Sequence, residues 1–236
     1  MMKRFLPVIL LVAVMSCEQS TDHSRVYHSG ALRNIMSGNL QATVSLDSLS
    51  RKRNLYALGA LKDLKGEIQI FNSKPLITSK KDDSVYLQND YLNQAALLVW
   101  TQVEEWEDIP IPDHIKSKKD LETFVKQQAD FLNLQKDEPF VFLLEGKIPL
   151  LDWHVIDWET GDKVHTHQKH KEAGLNGSLQ SENIQILGFY SEKHKAVFTH
   201  HSTFMHMHFK NQSETLAGHV DDLELGGNTI LKLPKL

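Results

Sequence analysis

An α+β fold is predicted by the order of apolar segments along the chain. Short apolar runs cut by turn residues come in series, with only two or three amphipathic helical stretches among them, so strands do not alternate one for one with helices as a doubly wound parallel sheet requires. The 236 residues are 41% hydrophobic and 24% charged, which supports a buried core and excludes a disordered or collagen-like chain. Twenty-six Lys and Arg against 30 Asp and Glu give a formal net charge of −4, without the basic excess that a phosphate backbone recruits. Nucleic acid is not an expected partner.

The elements follow in order. Lys3 and Arg4, an apolar run over residues 5–15 and the small Ser16 form the three parts of an export signal, and the run is too short to span a bilayer comfortably. Val14-Met15-Ser16-Cys17 resembles the lipobox of bacterial lipoproteins. On that reading residues 1–16 are a signal peptide, Cys17 is the lipidated first residue of the mature chain, and residues 17–28 are a polar tether at the bacterial cell envelope. An uncleaved anchor, or a secretory signal with Cys17 a bystander, stays open. One cysteine also excludes an internal disulfide and any zinc site needing two thiolates from this chain.

Residues 29–37 carry Leu32, Ile35 and Met36 at helical spacing, with Ser29 as the expected cap and Gly38 as the stop. Strand-like runs follow at 55–61, 67–71, 75–78 and 85–88, joined by turns such as Asn72-Ser73-Lys74. A second helix is bracketed by Pro110 and Pro112 before it and Pro139 after it, with Ser117 as cap and Leu121, Phe124, Val125 and Leu132 on one face. Five further strands are expected at 140–144, 150–157, 184–190, 196–200 and 204–209.

The chemistry concentrates in histidine: ten of the 13 lie from His154 onward. In a strand over Phe204-Met205-His206-Met207-His208-Phe209, alternation puts Met205, Met207 and Phe209 on one face and His206 and His208 on the other. Two residues along a strand span about 6.5 Å, which both rings can close to ligate one ion at about 2.0–2.1 Å. A hairpin through residues 210–214 would return His219 to the pair. Three neutral histidines leave a tetrahedral zinc one open position, the arrangement of a catalytic site; copper, nickel or iron also suit three imidazoles. His165, His167 and His170 lie in a Lys-rich stretch that reads as a solvated loop, and at most one of His200 and His201 can line the site.

His206-Met207-His208-Phe209, its spacing to Gly218-His219-Val220, Leu187-Gly188-Phe189-Tyr190, Leu58-Gly59 and Lys65-Gly66-Glu67 together resemble the bacterial alpha-acetolactate decarboxylases over residues 27–225. The resemblance implies two related halves of mixed sheet and helix forming one compact body, with residues 29–236 as the domain and the halves at about 29–135 and 136–236. It implies zinc on His206, His208 and His219, and a small-molecule 2-hydroxy-3-keto acid substrate, with 2-acetolactate converted to acetoin and carbon dioxide. Glu67 would orient ligands or shuttle a proton.

Two features depart from the family pattern. His154 falls where the family carries an arginine, and no arginine follows Arg53; histidine lacks the permanent charge and bidentate fork of a guanidinium, but it can donate a proton. The family's further glutamate beyond its third zinc histidine has no counterpart, leaving Asp221, Asp222 and Glu224 as stand-ins. The sequence thus implies an envelope-anchored zinc-dependent decarboxylase, with Glu67 and His154 as catalytic residues. The alternative is a catalytically altered or inactive member acting as a metal- or ligand-binding envelope lipoprotein. A metal-dependent hydrolase with Glu67 as base is a third reading.

Overall fold

The structure, a computed structural model, describes residues 24–134 and 138–235. The signal peptide at 1–16 and Cys17 lie outside the described residues. Among the described residues, no helix is long and apolar enough to cross a membrane.

The first sheet contains β1 (Tyr27–Ser29), β2 (Val44–Ser45), β3 (Leu55–Leu61), β4 (Glu67–Phe71), β5 (Lys74–Lys81), β6 (Ser84–Gln88) and β7 (Gln94–Gln102). Its order is β1-β7-β3-β4-β5-β6, with β2 also on β7. The expected strands over 55–88 are therefore present as a meander, and the Asn72-Ser73 turn takes both residues to positive φ, 48° and 62°. The second sheet contains β8 (Trp106–Pro110), β9 (Phe140–Ile156), β10 (Gly174–Tyr190), β11 (Met205–Asn211), β12 (Ala217–Glu224) and β13 (Ile230–Pro234). Strands β9 to β12 pair in a closed antiparallel circuit, since β10 and β12 both also pair with β9.

Alternation decides which face each side chain takes. On β9, Phe140, Phe142 and Leu144 join Met205, Met207 and Phe209 of β11 in an outer core, covered by Leu121, Phe124 and Val125 of α2 (Lys118–Phe131). Val141 and Leu143 point the other way, meeting Leu58, Leu97 and Val99 of the first sheet with Leu187 and Phe189. The two sheets thus pack face to face over a shared apolar layer, in keeping with the α+β expectation.

Local expectations change at several points. The first helix, α1 (Leu32–Met36), is not capped by Ser29, which sits in β1 opposite Leu98. Its first amides instead donate to Val197 and Ala196 carbonyls, at 2.7 and 2.9 Å. Residues 196–200 consequently form turns and not a strand, with Ala196 at φ 58°. Tyr27 and His28, placed in the tether by sequence, already pair with Trp100 and Val99. β8 and α2 pack with the second sheet. Residues 167–172, expected as loop, form α3 (His167–Glu172), with Thr166 accepting from Lys169 N as its cap.

Candidate functional site

The inner face of the second sheet carries a row of imidazoles across three neighbouring strands. His208 on β11 is opposite His219 on β12, and His219 is opposite His154 on β9; His206 lies two residues before His208 on the same face. The close approach of β12 to β9 excludes a side chain at Gly218, where a Cβ would stand 2.6 Å from the His154 carbonyl oxygen. From the first sheet, β4 contributes Glu67 at the point where the chain turns through Gly66 (φ 148°), a conformation and a crowding against Thr78 O that only glycine meets. Gln69, two residues on, ties β4 to β12: with its amide oxygen turned towards Gly218 N at 3.1 Å, its nitrogen donates to Leu76 O at 2.9 Å.

His206 Nε2 and His208 Nε2 are 3.2 Å apart, and His219 Nδ1 is 3.4 Å from His208 Nε2. Ligands about 2.05 Å from a tetrahedral ion stand about 3.3 Å from one another, so the three nitrogens already have the mutual spacing of a metal triad. The same three residues offer ligand atoms within 4.8 Å of one another, as do His154, His219 and Asp221. Neutral imidazole has one N–H to give, and ring nitrogens converging in a buried cluster are better matched by a cation than by each other.

Electrostatics point the same way. Burial holds His206 down to about 3 and keeps His208 and His219 well below the usual imidazole range, assisted by the charge of neighbouring histidines. All three stay neutral, the form in which imidazole ligates. Glu67, 4% exposed, is pushed up to about 7, chiefly by burial, with the charge of His154 and the Ile156 amide pulling back. Its Oε1 accepts from Ile156 N at 3.3 Å and stands 3.7 Å from His154 Nε2, while Oε2 is 3.8 Å from His208 Nε2. On its other side His154 Nδ1 meets Asp221 Oδ2 at 3.0 Å. Burial pushes the Asp221 carboxyl up, but the hydrogen bond and charge of His154, with Lys171, bring it below the ordinary value.

All five residues singled out by sequence therefore meet at one place, beside a cavity of about 660 Å³ between the sheets. Of the three acidic residues that follow His219, Asp221 meets His154 beside a β-bulge between Val220 and Asp222, and Asp222 also lines the cavity. His200 lines the cavity, whereas His201 is exposed. His170 and Lys171 of α3 also border it, so that segment is not merely solvated loop. His165, in contrast, stacks on Trp158 with ring centroids 4.4 Å apart. Sequence reasoning missed Gln69, Lys118, Glu122 and Lys171. Period-two spacing from Glu67 signals Gln69; Lys118, following the Ser117 cap, has no comparable signal.

No curated protein matches the chain at the level of sequence. A protein of unknown function from Staphylococcus aureus, described as similar to alpha-acetolactate decarboxylase, superposes with a TM-score of 0.73 at 16% identity, covering 89% of this chain and 85% of its own. Alpha-acetolactate decarboxylase from Bacillus subtilis strain 168 gives 0.70 at 15% identity, covering 90% and 86%, and that of subspecies spizizenii gives 0.71 at 15%, covering 90% and 87%. At these identities the likeness is one of fold. A family model for alpha-acetolactate decarboxylase, however, matches residues 26–233, nearly all of the described chain, and the protein belongs to that family.

Proposed function

We propose that the protein is a metal-dependent decarboxylase acting on 2-acetolactate or a related 2-hydroxy-3-keto acid, with zinc as its metal and acetoin and carbon dioxide as products. The observation that carries the reading is the convergence of three neutral imidazoles with Glu67 beside one cavity. His206, His208 and His219 would hold the ion. The chemistry it supplies is Lewis acidity, a dication beside oxygens on which negative charge develops.

The rest is done by the chain. Decarboxylation breaks the bond between the carboxyl carbon and C2, and the electron pair stays with C2, delocalised onto the oxygen of the neighbouring keto group. That carbon must then receive a proton, so each turnover consumes one. Glu67, with a pKa of about 7, keeps a proton available near neutrality and lines the cavity. His154 lies between Glu67 and Asp221 and can return a proton to Oε1 from its Nε2, while Asp221 fixes the ring through Nδ1. The apolar wall from Leu97, Ile156 and Phe198 limits water beside the reacting carbon. An envelope location, through lipid on Cys17, belongs to the same reading and rests on the sequence before residue 18.

Zinc-loaded protein given 2-acetolactate should yield acetoin and carbon dioxide in equal amounts, and His206→Ala should abolish both. Stoichiometric zinc binding without product would sink the enzymatic reading. It would favour a family member that kept its metal site and lost turnover, a reading supported by the absence of any arginine after Arg53.

A further inference from the structure

A half-buried cation borders the same cavity. Lys118, the first residue of α2, lines the cavity. Its backbone is fixed from three directions. Ser117 and Asp120 form a reciprocal capping box; Ser117 bridges to Glu224 of β12; and Leu225 N donates to Lys116 O at 2.8 Å.

Lys118 Nζ donates to the backbone carbonyl of Asp221 at 2.8 Å, its one hydrogen bond among the described residues. An ammonium has three N–H donors, and the acceptor it meets here is a neutral carbonyl. The nearby carboxylates have other engagements. Asp221 is taken by His154 and by Lys171 at 3.0 and 3.5 Å. Glu122 accepts from the Thr203 hydroxyl and from Phe204 N, and Asp222 accepts from Leu223 N. Burial pulls the Lys118 amine down against the attraction of Asp222 and Asp221. Lys118 lines the same cavity as His206 and His219, and its charge helps hold both imidazoles neutral.

We propose that Lys118 is a substrate-binding residue, its ammonium receiving the carboxylate of an anionic 2-hydroxy acid whose other oxygens face the histidine triad. The proposal rests on the reading of the triad as a metal centre for such acids and adds the group that recognises their charge. The bound carboxylate supplies the strong acceptor that Lys118 lacks. Attraction to an intact carboxylate weakens as carbon dioxide forms, so Lys118 serves capture and orientation more than bond breaking.

The test uses zinc-loaded protein and calorimetric titration with 2-hydroxy-2-methylpropanoate, which lacks the keto group and cannot decarboxylate; its neutral amide is the control. Lys118→Gln can still donate to Asp221 O but has no charge, and Lys118→Arg keeps the charge. Lys118→Gln should weaken carboxylate binding by about tenfold or more, with amide and zinc affinities unchanged, and Lys118→Arg should restore most of the loss. With 2-acetolactate, Lys118→Gln should raise KM by a similar factor with kcat changed less than about threefold. Equal carboxylate affinity in Lys118→Gln and wild type, equal loss of amide and carboxylate, or no binding of the carboxylate by wild type would each overturn the proposal. A Lys118-dependent carboxylate signal without carbon dioxide release would leave this inference standing and remove the decarboxylase reading. Turnover with an unchanged KM in Lys118→Gln would do the reverse.

Discussion

Glu67 shows how one buried carboxyl couples chemistry to stability. It ionises at about 7 in the fold against 4.5 in an unperturbed chain, chiefly because burial disfavours the charge, so the native state prefers it protonated. The stability this preference gives is complete below about pH 4.5 and is lost as pH rises through 7. A shift of this size is worth about 3 kcal/mol. Glu67→Gln cannot ionise, so metal-free Glu67→Gln should gain on metal-free wild type as pH rises from about 5 to 8, by up to about 3 kcal/mol in denaturant titrations. Parallel stability curves across that range would show that Glu67 is not held protonated. In the zinc-loaded protein the same substitution removes the proton carrier, and kcat should fall by about 10²–10⁴-fold. Charge-sensitive behaviour of this kind is only partly legible in sequence. The histidine triad follows from two-residue periodicity and a hairpin, which are local rules, whereas Asp221 is set by a β-bulge that no such rule reveals. Lys118 arrives from a separate helix, and no local rule brings it over β12.

At the scale of elements, α2 and β12 form the hinge of the site, because Ser117 caps the helix, bridges to Glu224 and precedes Lys118. Ser117→Ala should lower stability by about 1 kcal/mol through loss of the cap. It should also weaken carboxylate binding while sparing zinc, since the triad stands on β11 and β12 and not on α2. Isothermal titration of both ligands separates these effects; equal loss of zinc and carboxylate would place the damage in the sheet. Elements with strong apolar periodicity were readable: β3, β4, β11 and α2 lie where their patterns put them. The long partners β9 and β10 were not read at full length. Gly146 and Pro149 interrupt the apolar run of one, and the first half of the other is largely exposed, so burial leaves no pattern there. Residues 196–200 misled for the opposite reason: Ala196, Val197 and Phe198 look like a strand, but the Ala196 and Val197 carbonyls are needed to cap α1.

For the whole molecule, the site is also a measure of whether the two sheets are correctly opposed. Glu67 and Gln69 come from the first sheet, the histidines and Asp221 from the second, and the apolar layer around Leu58, Leu143 and Phe189 sets their separation. Sequence periodicity reveals which face of each strand is apolar, but not which sheet faces which; that information came from family resemblance and is now visible in the packing. Because the triad nitrogens converge only after β11 and β12 have paired, a metal held by them would bind the native state far more tightly than the unfolded chain, and its binding energy would appear as folding energy. Free zinc at a thousand times its dissociation constant should add about 4 kcal/mol. For a domain of this size each kcal/mol moves Tm by about 2–4 °C, so zinc should raise Tm by about 8–16 °C and a chelator should reverse it. His208→Ala removes the triad's central ligand, whose Nε2 faces both His206 and His219, and should abolish the zinc shift. Lys118→Gln should retain it, because Lys118 serves the substrate and not the ion. A wild-type Tm indifferent to zinc, or a His208→Ala protein that still shifts, would show that the three imidazoles are packing residues and not a metal centre.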